Sequence, residues 1–440
     1  MQKKGIFWFS NDLRLDDNPA LSKAASTMDQ LVLVYCPEDS KRLPSFQIGP
    51  SISANRHHFL KDSLKDLQNS LASMGQHIII CQQPVQSLSQ IIENYGISHV
   101  FRSRDQHCLD SDSWSYLKNK YTNVEFSEIS ANRLFNTQQL PFELHDLPSS
   151  FSKFRRKVEK LEILPPESAL TRLPDPLIDP IEWPAPLQKT STRPQMDFMG
   201  GENAGMSHLQ NYFQTSLAST YKQTRNGLDG MGYSTKFSPW LALGCLSVRR
   251  IMERLKQYEL DVVANDSTYW IFFELLWREY FQWYGEHFGE QMIAFSGIKD
   301  RPPTTSFYPE RFQKWCQGTT PYPIVNACMK QLNATGFMSN RGRQLVASCF
   351  VHELALDWRY GAAYMEQQLI DFDLSSNWGN WQYLAGVGAD PRGHRQFDLA
   401  KQTQIYDPEQ QFIQHWQGNC NLPLDSIDAS DWPVSAEVTV

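Results

Sequence analysis

Four stretches of the sequence combine charged, hydroxyl and aromatic side chains at spacings that suit a large ligand. In the first, residues 224–244 (TRNGLDGMGYSTKFSPWLALG), three glycines precede four polar side chains: Ser234, Thr235, Lys236 and Ser238. Ser238 is predicted to cap a helix whose first residue is Pro239. Backbone N–H groups at a helix start, together with the Lys236 cation, can bind a diphosphate. An ordinary glycine-rich turn before a capped helix explains the same residues equally well.

The second stretch places Glu274, Trp277 and Arg278 on one helix face, because residues three and four apart are neighbours in a helix. Trp270 lies one turn earlier on the same face. A carboxylate, an indole and a guanidinium together can stack on a planar heterocycle and hydrogen-bond to it. The simpler alternative is a surface Glu–Arg pair above a core tryptophan, which contributes little energy.

The third stretch is SNRGR, residues 339–343, at the start of a predicted helix. The amide of Asn340 can read the edge of a heterocycle, and an arginine can bind phosphate or carboxylate. The alternative is a helix cap flanked by solvated arginines.

The fourth stretch, IDFDLSSNWGNW, carries Asp371, Asp373 and Asn377. These ligands are too few for calcium, and the EF-hand spacing is absent. A polar turn between helices is the alternative, but it does not account for two tryptophans beside so much polar chemistry.

The elements that must position these stretches form zones along the chain. Residues 1–130 alternate apolar strands with amphipathic helices, which predicts a parallel sheet covered by helices on both faces. The loop after the first strand lacks GxGxxG, so a conventional dinucleotide site is not expected there. Residues 131–206 hold ten prolines between positions 141 and 194 and are predicted to be a mostly irregular connector with one short helix. Residues 207–416 look helical, and the tail 417–440 is unassigned.

Composition narrows the class of protein. The chain has 440 residues, a net charge of −7 and no apolar run of 18 residues, so a membrane span is not expected. Eight scattered cysteines without a CxxC pair argue against a zinc or iron–sulfur site and suggest reduced thiols in the cytoplasm, with no organelle-targeting segment evident. Eight of the 13 tryptophans lie between positions 240 and 381, where core packing is the default explanation.

The order and intervals of several motifs resemble the photolyase/cryptochrome flavoproteins. These motifs are YSTKFSPWLALGCLS, ELLWREYF, NRGRQ, DWRYG and SNWGNWQYLAGVGADPR. Four others are similar to the DASH branch: LPFELHDLPSSFSKFRRKVEK (140–160), GGENAG (200–205), YKQTRNGL (221–228) and RQFDLAKQTQIYDPE (395–409). The resemblance runs to about residue 416. It implies a Rossmann-like α/β domain followed by an all-α domain that holds FAD.

The resemblance also implies which residues contact a U-shaped FAD. They are Tyr221, Ser234, Thr235, Lys236, Phe237, Ser238, Trp270, Glu274, Arg278, Asn340, Arg343, Asp371, Asp373 and Asn377. Arg343 is expected to pair with Asp371 over the flavin. The amide of Asn377 is expected opposite flavin N5, where it can either accept or donate a hydrogen bond and so tune the redox form.

Three tryptophans match the electron chain of the family. In the implied order Trp381 donates first, Trp358 refills it, and Trp315 at the surface completes the path. For any one of them alone, core packing would be the better explanation.

The implied substrate is a cyclobutane pyrimidine dimer flipped out of DNA. Glu274 would hydrogen-bond the lesion, Trp277 would stack on it, and Asn340 would contact a base edge. Gln344 replaces the usual methionine and Tyr383 the usual tryptophan, which makes the pocket more polar and reduces stacking. We therefore expect repair chiefly in single-stranded DNA and only weak action on duplex. The basic rim expected to contact DNA comprises Arg225, Lys236, Arg249, Arg341, Arg392 and Arg395.

Members of this branch carry a methenyltetrahydrofolate antenna, and Asp105 aligns with the acidic residue expected against its pterin. Two other functions stay open. One is a blue-light photoreceptor that binds DNA or protein partners without repair, and the other is a light-insensitive flavin redox protein. A monomer is expected.

Overall fold

A computed structural model describes residues 2–37, 52–104, 111–184, 187, 198–390, 395–420 and 422–425. Asp105 and Arg392 lie outside these ranges, so their predicted roles stay predictions.

The N-terminal domain is built on a parallel sheet. Its strands are β1 (Lys4–Phe9), β2 (Gln30–Tyr35), β3 (Ile78–Ile80), β4 (His99–Ser103), β5 (Glu125–Ile129) and the short β6 (Asp175–Pro176). The order is β3-β2-β1-β4-β5, and β6 pairs with β2. Side chains alternate between the two faces, so Ile6 and Trp8 join one core while Phe7 and Phe9 join the other. Both faces are thus buried, which confirms the predicted fold class.

Four helices cover this sheet: α1 (Pro19–Thr27), α2 (Ala54–Ala72), α3 (Pro84–Tyr95) and α4 (Ser111–Lys120). Helix α3 begins at a proline and ends at Gly96, whose φ of +64° is the left-handed conformation that favours glycine. Helix α2 is amphipathic, and its buried side chains include Leu64, Leu67 and Leu71.

The connector holds two short 3₁₀ turns and helix α5 (Phe151–Val158). The C-terminal part is helical. Its helices are α6 (Glu202–Phe213), α7 (Leu217–Thr224), α8 (Ser238–Ala242), α9 (Val248–Asp261), α10 (Asp266–Phe288), α11 (Pro309–Gln317), α12 (Pro323–Thr335), α13 (Asn340–Ser348), α14 (Trp358–Gln368), α15 (Leu374–Leu384), α16 (Leu399–Tyr406) and α17 (Gln411–His415). The expected boundary at 206/207 falls inside α6.

One predicted helix is divided. The helix predicted to begin near residues 339–343 is α13, which ends at Ser348 and passes into a π-helical turn at Cys349–Glu353. A new helix then begins at Trp358, where the Asp357 carboxylate accepts the backbone N–H of Arg359 as a cap.

The loop after β1 joins the two domains. Arg14 in this loop is fully buried. Its guanidinium donates to the carbonyls of Asp16, Asp17, Ala131 and Gly244 and to Asn132 Oδ1. Glu202 of α6 accepts the backbone N–H groups of Leu15 and Asp16, each at 2.8 Å. This loop is therefore the domain junction.

Within the described ranges, no helix is long and apolar enough to cross a membrane. The same residues contain no group of three or more His, Cys, Asp or Glu side chains that could hold a metal ion.

Candidate functional site

Helix α10 carries Glu274, but its partner is not the one expected from helical spacing. The simpler alternative of a surface Glu274–Arg278 pair is not what the structure shows, because Glu274 binds Arg225, which follows α7. The Arg225 guanidinium also lies 4.6 Å above the Trp270 ring. Burial raises the pKa of Glu274, and the charge of Arg225 opposes this shift. The glutamate thus lines a desolvated recess, although its side chain keeps 31% of its accessible surface.

Arg278, one turn further along α10, is half-buried. It donates to the Asn132 carbonyl at 2.9 Å, the one hydrogen bond recorded for its guanidinium among the described residues. Burial lowers the pKa of Arg278, while Asp373 and Glu279 oppose that shift. A desolvated guanidinium with unused N–H groups is suited to meet acceptor atoms on a ligand.

The pairing of Arg343 with Asp371 is present as the resemblance implied. Arg343 Nη2 lies 2.9 Å from Oδ1 and 2.7 Å from Oδ2 of Asp371. Ser238 Oγ donates to the same carboxylate at 2.6 Å. The prediction that Ser238 caps α8 is wrong, because it is the first helical residue and the cap position is Phe237, which makes no side-chain cap bond. The serine hydroxyl serves the buried carboxylate instead.

The loop before α8 is strained. Ser234 and Lys236 have φ values of +68° and +55°, which side-chain-bearing residues seldom adopt. Lys236 is buried, and its ammonium lies 4.7 Å from the Phe337 ring centre. The Thr235 carbonyl lies 2.8 Å from His208 Nε2. Strain held in place by such contacts is typical of ligand-binding loops.

The remaining predicted flavin contacts differ in burial and in bonding. Tyr221 and Phe237 are buried, and burial raises the pKa of the Tyr221 hydroxyl. Asp373 caps α15 by accepting the Ser376 N–H at 2.7 Å. Asn377 Nδ2 donates to the Ala362 carbonyl at 3.0 Å, so the oxygen of the amide is left as the acceptor. Asn340, the first residue of α13, is exposed.

The predicted surface position of Trp315 is wrong, and its ring contacts Trp381 directly. Trp315 was expected at the surface but is fully buried, and its ring centre lies 6.2 Å from that of Trp381. Trp358 contacts Trp378 instead, at 5.7 Å. The reason is packing, since α11 brings Trp315 inward against Phe350. Tyr364 contacts Trp315 at 5.6 Å, and its hydroxyl donates to Asn333 Oδ1 at 2.7 Å on the exposed side.

Trp277 and Tyr383 form a right-angled corner, with ring centres 5.9 Å apart and planes at 83°. One face of Trp277 is stacked on Phe151 of α5 at 3.8 Å. Arg395 lies 4.6 Å above the Tyr383 ring and donates to Asp390 at 2.5 Å. Gln344 is half-buried on α13, which packs against α15.

The arginines predicted to form a free basic rim have partners within the protein. Arg395 is paired with Asp390, and Arg249 donates to both oxygens of Asp17 at the domain junction. Arg341 lies over the Tyr406 ring at 4.8 Å, and burial lowers its pKa. Their positive charge is therefore largely used inside the fold.

Comparisons with known proteins identify the family. The family model for DNA photolyase matches residues 5–175, and the model for the FAD binding domain of DNA photolyase matches residues 270–432. A Cryptochrome DASH of Idiomarina loihiensis is 53% identical over 98% of this chain and 96% of its own. One from Vibrio parahaemolyticus is 49% identical over 99% of both chains.

The chain belongs to the DASH cryptochromes of the photolyase/cryptochrome family. The crystal structure of the Synechocystis sp. PCC6803 cryptochrome aligns to this DASH cryptochrome with a TM-score of 0.88 and 38% identity, over 94% of this chain and 89% of that one. A class III photolyase from Agrobacterium tumefaciens aligns with a TM-score of 0.83 and 25% identity, over 94% and 86% of the two chains.

The residues present fit FAD. Gln331 is buried, and its Oε1 has no hydrogen-bond partner among the described residues. It lines a small cavity together with Lys236 and residues 229–231, beside the strained loop. Elsewhere in the site, Arg278 and Arg343 supply cations suited to phosphates, and Asn377 supplies an amide suited to a heterocycle, so the chemistry of these side chains fits FAD.

Sequence reasoning missed several contacts of the DASH site. Arg225 pairs with Glu274 across 49 positions, so no helical spacing could reveal the pair. The stack of Phe151 on Trp277 joins residues in different zones of the chain, although the motif that contains Phe151 was part of the resemblance. Arg104, next to the predicted antenna residue, forms an ion pair with Glu286 across the domains.

Proposed function

We propose that this DASH cryptochrome uses blue light to repair cyclobutane pyrimidine dimers, chiefly in single-stranded DNA. The observation that carries the proposal is the Trp277–Tyr383 corner, formed by α10 and α15, which also bear Glu274 and Asn377. FAD, when bound, supplies light absorption and the electron that splits the dimer. A methenyltetrahydrofolate antenna is part of the proposal.

The residues of the recess have separate tasks. Glu274, which is held by Arg225, would hydrogen-bond the lesion. Trp277 would stack on one base with the face that Phe151 leaves free. Asn340 would contact a base edge. Arg343 and Asp371 would hold one side of the flavin pocket, with the Asn377 oxygen accepting a hydrogen bond from the ring system.

Trp381, Trp358 and Trp315 would bring electrons toward the recess. Ring contact favours Trp315 as the neighbour of Trp381. Tyr364 would extend this path to the protein surface, because it contacts Trp315 and its hydroxyl bonds to exposed Asn333.

The preference for single strands follows from stacking. A phenol offers less area than an indole, and base stacking contributes about 1–3 kcal/mol per base. Arg395 also covers part of the Tyr383 ring. Less binding energy then remains for extracting a dimer from duplex DNA.

A repair assay with one dimer-containing oligonucleotide tests the proposal. Illuminated, reduced protein should restore the single strand at least tenfold faster than the same strand in duplex. Equal repair rates on the single strand and the duplex would contradict the strand preference. The absence of repair on both substrates would contradict the repair function.

One observation favours the photoreceptor alternative. Residues 422–425 lie against α11, the helix that carries Trp315, where Arg311 donates to both Asp425 oxygens at 2.6 Å. Lys314 also donates to the Pro423 and Leu424 carbonyls. Light-induced release of this segment, together with absent repair, would support signalling as the function.

A further inference from the structure

The connector helix α5 has a sharply divided surface. Phe151, Phe154 and Val158 are buried, and Phe154 packs on Tyr280 at 5.2 Å. The rings of Phe151 and Trp277 are stacked, with their centres 3.8 Å apart. Helix α5 therefore contacts the Trp277–Tyr383 corner through the Phe151 ring. The helix therefore forms a wall of the proposed lesion pocket.

The opposite face of α5 is cationic. Lys153, Arg156 and Lys157 on the helix and Lys160 after it are all exposed. None of these four side chains is paired with a carboxylate among the described residues: Lys153 donates to Ser149 Oγ and Arg156 to the Ser152 carbonyl. The first three charges lie within about 6 Å along the helix axis. This concentration contrasts with the net charge of −7 for the whole chain.

The nearby carboxylate does not neutralise this face. Glu159 accepts from the Tyr269 hydroxyl at 3.0 Å and lies 3.5 Å from Arg155 Nε, which places it on the α10 side of the helix. Tyr269 itself is 38% exposed. An aromatic ring thus lies at the margin of the cationic face, a combination that suits single-stranded nucleic acid.

We propose that the cationic face of α5 binds the phosphate backbone of single-stranded DNA beside the Trp277–Tyr383 corner. The inference rests on the proposed function for the choice of DNA, and it assigns the electrostatic contact that Arg249, Arg341 and Arg395 cannot supply because they are paired or buried. Unpaired lysines and arginines release counterions when they meet phosphates, so this face contributes affinity that falls with salt.

The test uses the full-length holoprotein and an undamaged single-stranded oligonucleotide. The triple variant Lys153→Ala, Arg156→Ala, Lys157→Ala removes three cations at exposed helix positions, where alanine is well tolerated. The matched control Lys23→Ala, Lys118→Ala, Arg254→Ala removes the same charge from exposed positions on α1, α4 and α9. Affinity is measured by fluorescence anisotropy at several salt concentrations.

We expect the α5 variant to bind at least tenfold more weakly, with the slope of log K against log salt reduced by about 2, since each phosphate contact on a single strand contributes about 0.7. The control should retain the wild-type slope. Unchanged affinity and slope in the α5 variant, or an equal loss in the control, would overturn the inference.

A second measurement separates this inference from the proposed function. Repair of a free pyrimidine dimer, which lacks a flanking backbone, should proceed in the α5 variant at the wild-type rate. Wild-type protein that binds single strands through α5 but repairs no dimer would refute the repair function alone. Repair of the oligonucleotide with undiminished affinity in the α5 variant would refute the α5 contact alone.

Discussion

Arg14 is fully buried, whereas Arg278 is half-buried, and the two guanidinium groups are bonded in different ways. Arg14, at the domain junction, donates hydrogen bonds to four backbone carbonyls and to the side chain of Asn132. Arg278, in the recess, donates one recorded hydrogen bond and is desolvated enough that its pKa falls. The contrast teaches that a buried cation with every donor satisfied holds the fold, whereas a half-buried cation with unused donors is available to a ligand.

The tryptophans repeat this contrast. The indole N–H of Trp378 donates to Glu366 at 2.9 Å, and that of Trp315 to the Val346 carbonyl at 3.1 Å. No hydrogen bond of the Trp381 indole N–H is recorded within the described ranges, although the ring is buried. The indole N–H of Trp381 therefore resembles the remaining N–H groups of Arg278, which make no hydrogen bond with the described part of the protein.

The largest effect is expected from Arg14→Ala. It would leave buried carbonyls of Ala131 and Gly244 without their donor, so the free energy of unfolding should fall by about 3–5 kcal/mol. Denaturant unfolding measures this loss, with exposed Arg254→Ala as the control. A loss below 1 kcal/mol would contradict the structural role that distinguishes Arg14 from Arg278.

The second largest effect is expected from Trp381→Phe. Photoreduction of bound flavin under anaerobic blue light should slow at least tenfold, because phenylalanine does not donate electrons as an indole does. Trp378→Phe, with similar burial, should cost stability through its lost bond to Glu366 but retain more than half of the photoreduction rate. Equal rates for the two variants would show that Trp381 is merely a packing residue.

Part of this architecture is readable from the sequence. Alternating apolar strands and amphipathic helices predicted the sheet domain, because strand and helix periodicity are local properties. The Arg343–Asp371 pair followed from the family resemblance. The Arg14 bonds, the Glu274–Arg225 pair and the inward position of Trp315 could not be predicted, since they join distant parts of the chain through tertiary packing.

A smaller effect is expected on the pH dependence of the free energy of unfolding. Burial raises the folded-state pKa of Glu274 above its unfolded value of about 4.3. Between those two values the folded protein holds a proton that the unfolded chain has released, so stability falls as pH rises through that window. Glu274→Gln removes this loss of stability with rising pH, because a glutamine side chain does not titrate. The variant should match wild type near pH 4 and be the more stable of the two near pH 8. Parallel stability curves would show that Glu274 is not desolvated.

The most direct test of the central distinction is Arg278→Met, measured for both stability and flavin binding. The flavin-free protein should unfold within about 1 kcal/mol of wild type, because Arg278 contributes one recorded hydrogen bond to the fold. FAD affinity should fall at least tenfold. The opposite result, an unstable flavin-free protein with unchanged FAD affinity, would show that Arg278 holds the structure and that unused donors do not mark the ligand site.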